Sequence, residues 1–432
     1  MTIYSLILSF LMIFTSIFTM FASAPVPEVP EDDFVPVLRF VSTSDTHVLA
    51  LGDKPCYRIA NMIKSAYAVA ENDPDYKYLD AVTFSGDITD EGTFTAFSAF
   101  TSVTDKLIKD GTERLAVVSK AHDGYTYDAK SLEIFTELTG QETDFHRIIK
   151  GYHFIGISRA PSETEQYTEA QLQWLDNELK AATEAAPDQP VFVFNHEHIK
   201  NTVFGSYASD GWGVDYFTDI LNKYPQVVDI SGHSHYPAND PRAIWQGAFT
   251  AINDGGLAYY EFTVDTETSV HPEKSKTMTQ ALITEVDKDN RVLVRVLDVD
   301  KGKFVAEYLI DNITDSVKTK YDHNVRKENS TAPVFGENAS LSVKSGLTGI
   351  TVTVPQAHTG ADNEVYLYRL VVTDEKGDTV YTAWKLSEYY FADVPDSVSF
   401  DTFKLSDGRY TLSVHAEDVW GNISAPLIAE LG

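Results

Sequence analysis

The sequence predicts a layered α/β domain followed by a smaller all-β sandwich, on three observations. From Val35 to about Trp245, apolar strand-like runs alternate with segments whose apolar residues recur at helical spacing. Beyond Trp245 the helical period fades, and strand-like runs succeed one another as far as Ile310. From Ala332-Pro333 onward the chain holds short strands with turn signals at Glu375-Lys376-Gly377-Asp378 and Ser406-Asp407-Gly408-Arg409, the rhythm of a sandwich module.

Taken in order, Pro25 to Asp33 is rich in proline and acid and reads as a linker. Val35 to Val41 is a strand that ends in Ser42-Thr43-Ser44-Asp45-Thr46-His47. Tyr57 to Glu71 carries Ile59, Met62, Ile63, Ala66, Val69 and Ala70 at helical spacing. Leu79 to Phe84 is apolar and partly β-branched, a buried strand, and Ser85-Gly86-Asp87-Ile88-Thr89-Asp90 follows it. A glycine there lets the backbone turn sharply, and Asp87 leaves the carboxyl end of the strand, where open α/β sheets place their sites. A helix over about Thr93–Lys109 leads to the strand Arg114–Val118, which ends at Ala121-His122-Asp123. Tyr152–Ser158 is a strand, and Thr168–Ala185 is a helix with Leu172, Leu175 and Leu179 on one face. The strand Pro190–Phe194 delivers Asn195-His196-Glu197-His198. A short helix, Tyr216–Lys223, precedes Val227–Ile230 and Ser231-Gly232-His233-Ser234-His235.

The runs Ala248–Ile252, Ala258–Val264, Met278–Val286, Arg291–Asp298 and Phe304–Ile310 are expected to complete a second sheet of the same domain. The predicted division is a signal peptide or anchor at 1–24, a linker at 25–34, the α/β domain at 35–315, a linker at 316–332 and the β-sandwich at 333–432. In the last of these, Tyr410, Leu412, Val414 and Ala416 share one face of a strand. Tyr389, Tyr390 and Phe391 suit a carbohydrate surface or, more simply, the core.

Composition narrows the function. A length of 432 residues suits two domains, and 43% hydrophobic residues is ordinary for a folded protein. The net charge of −30 argues against binding a nucleic-acid polymer, because no counter-charge is available for its phosphates. Ile3 to Phe21 is apolar and uncharged, and Ala22-Ser23-Ala24 resembles a cleavage site, so a secreted or cell-surface protein is expected. Cys56 is the only cysteine, which excludes an intramolecular disulfide and a thiolate zinc site. Asn312, Asn329, Asn338 and Asn422 begin Asn-x-Ser/Thr sequons compatible with glycosylation.

Five strand ends release Asp or His: Asp45 and His47, Asp87, His122 and Asp123, His196, and His233 and His235. In a parallel sheet these groups converge at one edge. Mixed carboxylate and imidazole donors suit Zn, Fe, Mn or Ni better than Ca. In this order, Asp45-Thr46-His47, Gly86-Asp87-Ile88-Thr89-Asp90, Ala121-His122-Asp123, Asn195-His196 and Gly232-His233-Ser234-His235 resemble the motifs of the calcineurin-like metallophosphoesterases, from about Val35 to Tyr236.

The resemblance implies a four-layer α/β/β/α sandwich and a two-metal centre. It assigns Asp45, His47 and His235 to a first metal and His196 and His233 to a second, with Asp87 bridging both. It further implies hydrolysis of phosphate esters by attack of a metal-bound hydroxide. His122 would stand at the leaving oxygen, with Asp123 orienting its ring. One position departs from the pattern: the family's Gly-Asn-His-Asp is Lys120-Ala121-His122-Asp123 here. A methyl group cannot replace the asparagine oxygen, so a weakened second metal, lower activity or an inactive surface binding protein is expected.

Further expectations concern substrate. His198, two residues past His196, and Arg242 are candidate phosphate contacts. Tyr207, Trp212, Tyr216 and Trp245 are a candidate aromatic wall for a small phosphodiester or nucleotide. Asp90 is expected to fix its loop and Asn195 to serve as a hydrogen-bond donor behind the ligands. The C-terminal module resembles fibronectin type III or other immunoglobulin-like sandwiches, which suits a spacer or a cell-surface association.

Overall fold

Every strand predicted before Trp245 forms, and β6 runs past its predicted end, through Asn195-His196-Glu197-His198 to Ile199. The computed structural model describes residues 24, 25, 27, 33–126, 129–162 and 164–432. The expected signal peptide or anchor therefore lies outside the described residues, Ala24 apart, as does most of the linker at 25–34. Among the described residues no helix is long and apolar enough to cross a membrane. Two compact units divide the chain: one holds residues up to Asn239 together with Ala243–Asp322, the other Asp240–Arg242 and His323–Gly432.

The first unit begins with β1 (Pro36–Thr43), α1 (Lys54–Asn72), β2 (Ala81–Ser85), α2 (Phe94–Leu107), β3 (Glu113–Val117) and α3 (Ala129–Thr139). It continues with β4 (Phe145–Ile149), β5 (Tyr152–Gly156), α4 (Glu169–Ala185), β6 (Val191–Ile199), β7 (Gly213–Val214), α5 (Thr218–Leu221) and β8 (Val227–Gly232). Then come β9 (Ile244–Gln246), β10 (Thr250–Asn253), β11 (Phe262–Val264), β12 (Glu267–Val270), β13 (Gln280–Asp287), β14 (Val292–Asp298) and β15 (Lys303–Ile310). Local chemistry sets the helix starts. Asp53 caps α1 by accepting from Cys56 N, Thr93 caps α2, and Thr168 with Gln171 forms a capping box on α4.

The first sheet runs β15-β14-β13-β1-β2-β3, with β1, β2 and β3 parallel. The second runs β4-β5-β6-β8-β10-β9, with β5, β6, β8 and β10 parallel. Helices α1 to α3 cover the outer face of the first sheet through Ile59, Met62, Phe97, Phe100 and Phe135. Helix α4 covers the second through Leu175, Leu179 and Ala182. Between the sheets lies a common core that includes Phe40, Leu115, Phe154, Phe192, Phe194, Ile230 and Val294. The fold is thus the four-layer α/β/β/α sandwich. Phe40 meets Phe154, Phe192 and Phe194 edge-on at 5.1, 4.8 and 6.2 Å, and this aromatic knot ties the two sheets together. Truncating such a ring to Ala costs about 3–5 kcal/mol.

Two expectations are corrected. The runs after Trp245 do not all complete a second sheet. Only β9 and β10 join it, while β13 to β15 extend the first sheet, with β13 antiparallel to β1. The reason is burial on both sides: Ala281 and Ile283 face the helices, while Leu282 and Val286 face the other sheet. The segment at 258–264 contributes only Phe262–Val264, paired in a separate ribbon with Glu267–Val270. The polar stretch at 316–332 also contains a short helix, α6 (His323–Asn329).

The second unit adds β16 (Ser342–Gly346), β17 (Gly349–Pro355), β18 (Val365–Asp374), β19 (Thr379–Leu386), β20 (Ser397–Ser399), β21 (Tyr410–Asp418) and β22 (Leu427–Leu431). They form sheets β16-β17-β20 and β19-β18-β21-β22. Strand β21 alternates buried and half-buried residues, with Tyr410, Leu412, Val414 and Ala416 inward. Tyr389 and Tyr390 are buried, which places them in packing rather than on a carbohydrate surface.

Candidate metal centre

The carboxyl ends of β1, β2, β3, β6 and β8 meet at one rim, where backbone bonds lash their loops together. Asp45 N donates to Gly86 O (3.1 Å), while Thr46 N and His47 N both donate to Asp87 O (2.9 and 3.0 Å). The second sheet joins through His196 Nδ1, 2.9 Å from Ser85 O, and His233 N, which donates to Asp45 Oδ2 (3.0 Å). Glycines make the approach possible. A Cβ on Gly86 would lie 2.6 Å from His196 Nδ1, and one on Gly232 would run into the Ser44 hydroxyl. Asp45, His47, Asp87, His233 and His235 all have positive φ, between 46° and 73°. Such backbone is costly for residues with a Cβ, and it gathers here at five of the six converging positions.

Among the six converging residues two groups of ligand atoms result, each lying within 4.8 Å: Asp45, His47, Asp87 and His235, and Asp87, His196 and His233. Asp87 belongs to both. His235 Nε2 is 3.2 Å from Asp45 Oδ1 and 3.2 Å from His47 Nε2. His196 Nε2 is 3.3 Å from Asp87 Oδ2 and 3.1 Å from His233 Nδ1. Asp45 is fully buried, and among the described residues its Oδ1 has no hydrogen-bond partner. The other ring nitrogens are oriented from behind: His47 Nδ1 by Asp90 (3.1 Å), His196 Nδ1 by Ser85 O, and His235 Nδ1 by Tyr259 O (3.1 Å).

The electrostatics are those of a site built for cations. Burial alone would raise the Asp87 carboxyl, but His196, then His47 and His122, hold it well below the ordinary carboxylate range. Burial likewise opposes ionisation of Asp45, and His235 and His196 overcome it. Burial, reinforced by His47, pushes the His235 imidazole down to about 4, and burial with His196 lowers His233. Burial opposes charging of His196 and His47 as well, but Asp87 holds His196 well above its ordinary value and Asp90 with Asp87 raises His47, so two of the four imidazoles are neutral and two hold protons that a cation would displace. Ionised carboxylates and imidazoles gathered round a buried oxygen are the donor set a divalent transition metal requires. The residues present fit such an ion.

The structure brings Asp45, His47, Asp87, His196, His233 and His235 together, with His122 beside them. His122 Nε2 lies 4.0 Å from Asp87 Oδ2, and its ring stands edge-on to His47 at 4.4 Å. Three expectations are corrected. Asp123 does not orient His122: its carboxylate accepts from Ile88 N, Thr89 N, Thr89 Oγ1 and Ser119 N. Asp90 does that work instead, its carbonyl 3.2 Å and its Oδ1 3.3 Å from His122 Nδ1. His198 is not at the mouth. It is fully buried, with Nδ1 2.9 Å from Ser231 Oγ and Nε2 2.8 Å from Ser234 Oγ. Arg242 belongs to the other unit, where Asp240 holds its guanidinium through two bonds (2.9 and 2.7 Å) and the Tyr366 ring covers it.

Of the aromatic wall, Trp212 reaches the centre, edge-on to His233 at 5.3 Å. Tyr216 packs on Tyr167 and Phe217, and Trp245 on Phe249. Asn195 donates to Glu197 O, bracing the bulge in β6. Sequence reasoning missed Ser119, whose hydroxyl donates to Asp87 Oδ1, and Tyr259, which stacks on His235 at 4.1 Å. The signal for Tyr259 was present: Asn253-Asp254-Gly255-Gly256 ends a parallel strand just as Ser85-Gly86-Asp87 does.

Residues 38–237 match the family described as Calcineurin-like phosphoesterase. Among solved structures, the chain is similar to GAP50, the anchor in the inner membrane complex of Plasmodium. Identity there is 15% and the TM-score 0.44, over 66% of this chain and 90% of that one. It is also similar to purple acid phosphatase PPD1 from yellow lupin seeds, with 12% identity and a TM-score of 0.44, over 65% of this chain and 55% of that one. Chicken CNTN1 FN1-FN3 domains match at 13% identity and a TM-score of 0.17, over 39% of this chain and 46% of that one. The comparison with curated proteins gave no match.

Proposed function

We propose, from the membership of residues 38–237 in the calcineurin-like phosphoesterase family, that this protein is an exported metal-dependent phosphoesterase acting on small phosphodiesters or nucleotide phosphates. The observation that carries this reading is the pair of ligand groups joined at Asp87. Asp45, His47, Asp87 and His235 would hold one divalent ion, and Asp87, His196 and His233 a second. Two such ions, when bound, supply Lewis-acid neutralisation of phosphate charge and make hydroxide available near neutral pH.

The chain's own residues do the rest. Asp90 and the Tyr259 carbonyl fix the His47 and His235 rings, so their inner nitrogens carry lone pairs. His122 gives its Nδ1–H to Asp90, and a proton on Nε2 then faces the Asp87 side, placed to pass to a departing alkoxide.

The test incubates the protein with Mn, Zn, Fe or Ni and simple phosphomono- and diesters. Turnover is expected, and Asp87→Asn should reduce it by on the order of a hundredfold or more, because both ligand groups lose their shared carboxylate. A wild type inert with every metal overturns the reading. The second reading, a binding protein without turnover, is favoured by one observation: Ala121 is exposed and offers only a methyl group where the family supplies an oxygen. An inactive wild type that becomes active as Ala121→Asn would establish it. The export reading rests on the apolar run Ile3–Phe21. Mass spectrometry of the protein recovered from the culture medium tests it, and a chain found only inside cells, still starting at Met1, contradicts it.

A further inference from the structure

Tyr259 stands over the first ligand group in a way that packing alone leaves unexplained. Its ring lies parallel on His235, with centroids 4.1 Å apart and planes 14° from parallel, and it is 5.8 Å from the His47 ring. Its carbonyl accepts His235 Nδ1–H, so backbone and side chain of one residue grip the same imidazole. His271, 5.4 Å away, bounds the ring further, and its Nε2 lies 3.3 Å from Glu261 Oε1. Glu261 N in turn donates to His235 O (2.9 Å). The ring is therefore held in place, yet Tyr259 is only half-buried, and among the described residues nothing hydrogen-bonds its hydroxyl.

A phenol near neutral pH keeps its proton and is a donor. Phosphate oxygens are strong acceptors, and Arg242, expected from the sequence to meet them, is engaged in the other unit. An O–H on a ring fixed against His235, with no hydrogen-bond partner among the described residues, is also a donor that an anion can use without adding a charge to the site.

We propose that Tyr259 is a substrate-binding residue whose hydroxyl donates a hydrogen bond to a non-bridging oxygen of a phosphate group seated at the Asp45, His47, Asp87 and His235 cluster. The inference rests on the phosphoesterase reading for its ligand and names a residue that the motifs do not contain. Tyr259→Phe separates the hydroxyl from the stack, since it keeps the ring on His235.

The experiment measures three things on the metal-loaded protein: metal content, calorimetric binding of inorganic phosphate, and kcat and KM on p-nitrophenyl phosphate and its diester. Tyr259→Phe should keep its metal while phosphate binding and kcat/KM each fall about tenfold, the effect of one hydrogen bond to a charged acceptor. Tyr259→Leu, which also removes the stack, should lose metal as well. A Phe variant that binds phosphate as the wild type does overturns the proposal, and so does a metal-loaded wild type that does not bind phosphate. If the wild type binds phosphate, the Phe variant binds it about tenfold more weakly, and neither turns over any ester, the proposal stands and the phosphoesterase reading fails.

Discussion

Asp90 shows how one carboxylate can govern two rings. Its Oδ1 accepts from His47 Nδ1 at 3.1 Å and lies 3.3 Å from His122 Nδ1. The hydrogen bond from His47, opposed by burial, holds the Asp90 carboxyl below its ordinary range, so it is ionised wherever the protein would work. His47, Asp90 and His122 also have ligand atoms within 4.8 Å of one another. Asp90 already serves both rings as an acceptor, however, and a third cation there would compete with the first for His47. Asp90 is thus a positioning residue. In Asp90→Ala, kcat should fall roughly 10- to 100-fold, the usual effect of freeing an oriented imidazole. Metal content should fall less, because Asp45, Asp87 and His235 remain. A variant that loses all its metal, or none of its kcat, contradicts this assignment.

At the scale of elements, the site depends on β6 and β8 holding register across a bulge between Phe194 and Glu197. His198 is the strut. Burial pushes its imidazole down to about 3, so the neutral ring bonds Ser231 on one side and Ser234 on the other. It thereby pins the turn that presents both His233 and His235. His198→Leu should weaken metal binding about tenfold or more, followed by metal titration, and leave KM for substrate unchanged in the fully loaded protein. A raised KM at full loading would restore the substrate role read from the sequence.

His198 also marks where legibility ended. The strand ends that carry the six converging residues could be read, because apolar runs and the Gly-Asp and His-x-His turns are local features. Spacing put His198 on the same side as His196, whereas the bulge in β6 moves it into the interior. Arg242 followed His235 closely in sequence, yet it packs with Asp240 and Tyr366 in the other unit. The placing of β13 and β14 was hidden for a related reason. A strand buried on both faces shows no alternation that says which sheet it joins, and only long-range packing decides.

Over the whole molecule, acid chemistry and net charge point the same way. Burial raises Asp298 to about 6, Glu364 to about 7 and Asp254 to about 8, and it lifts Asp229 well above its ordinary value. A carboxyl whose folded value is raised contributes stability that is complete below its unfolded value, near 4, and is lost as pH climbs through the folded value. For Asp298, Glu364 and Asp254 the loss therefore falls between about pH 4 and pH 8. Asp87, Asp45 and Asp240 are lowered instead, and their contribution disappears only as pH drops below about 4. Each newly ionised carboxyl also brings the chain nearer its full formal charge of −30, and that repulsion favours expansion. The buried neutral rings of His198 and His235, pushed down to about 3 and about 4, act the opposite way and add stability as pH rises toward 6.5, so in chelator Tm should peak near pH 6 and be roughly 5 °C or more lower at pH 8.5. Salt separates the two causes, because it screens surface repulsion but reaches buried carboxyls poorly. If burial dominates, 0.3 M NaCl recovers only a minor part of the loss, while Asp298→Asn and Glu364→Gln reduce it. A Tm that stays level or rises from pH 6 to 8.5 would mean that these carboxyls are not held protonated in the folded protein.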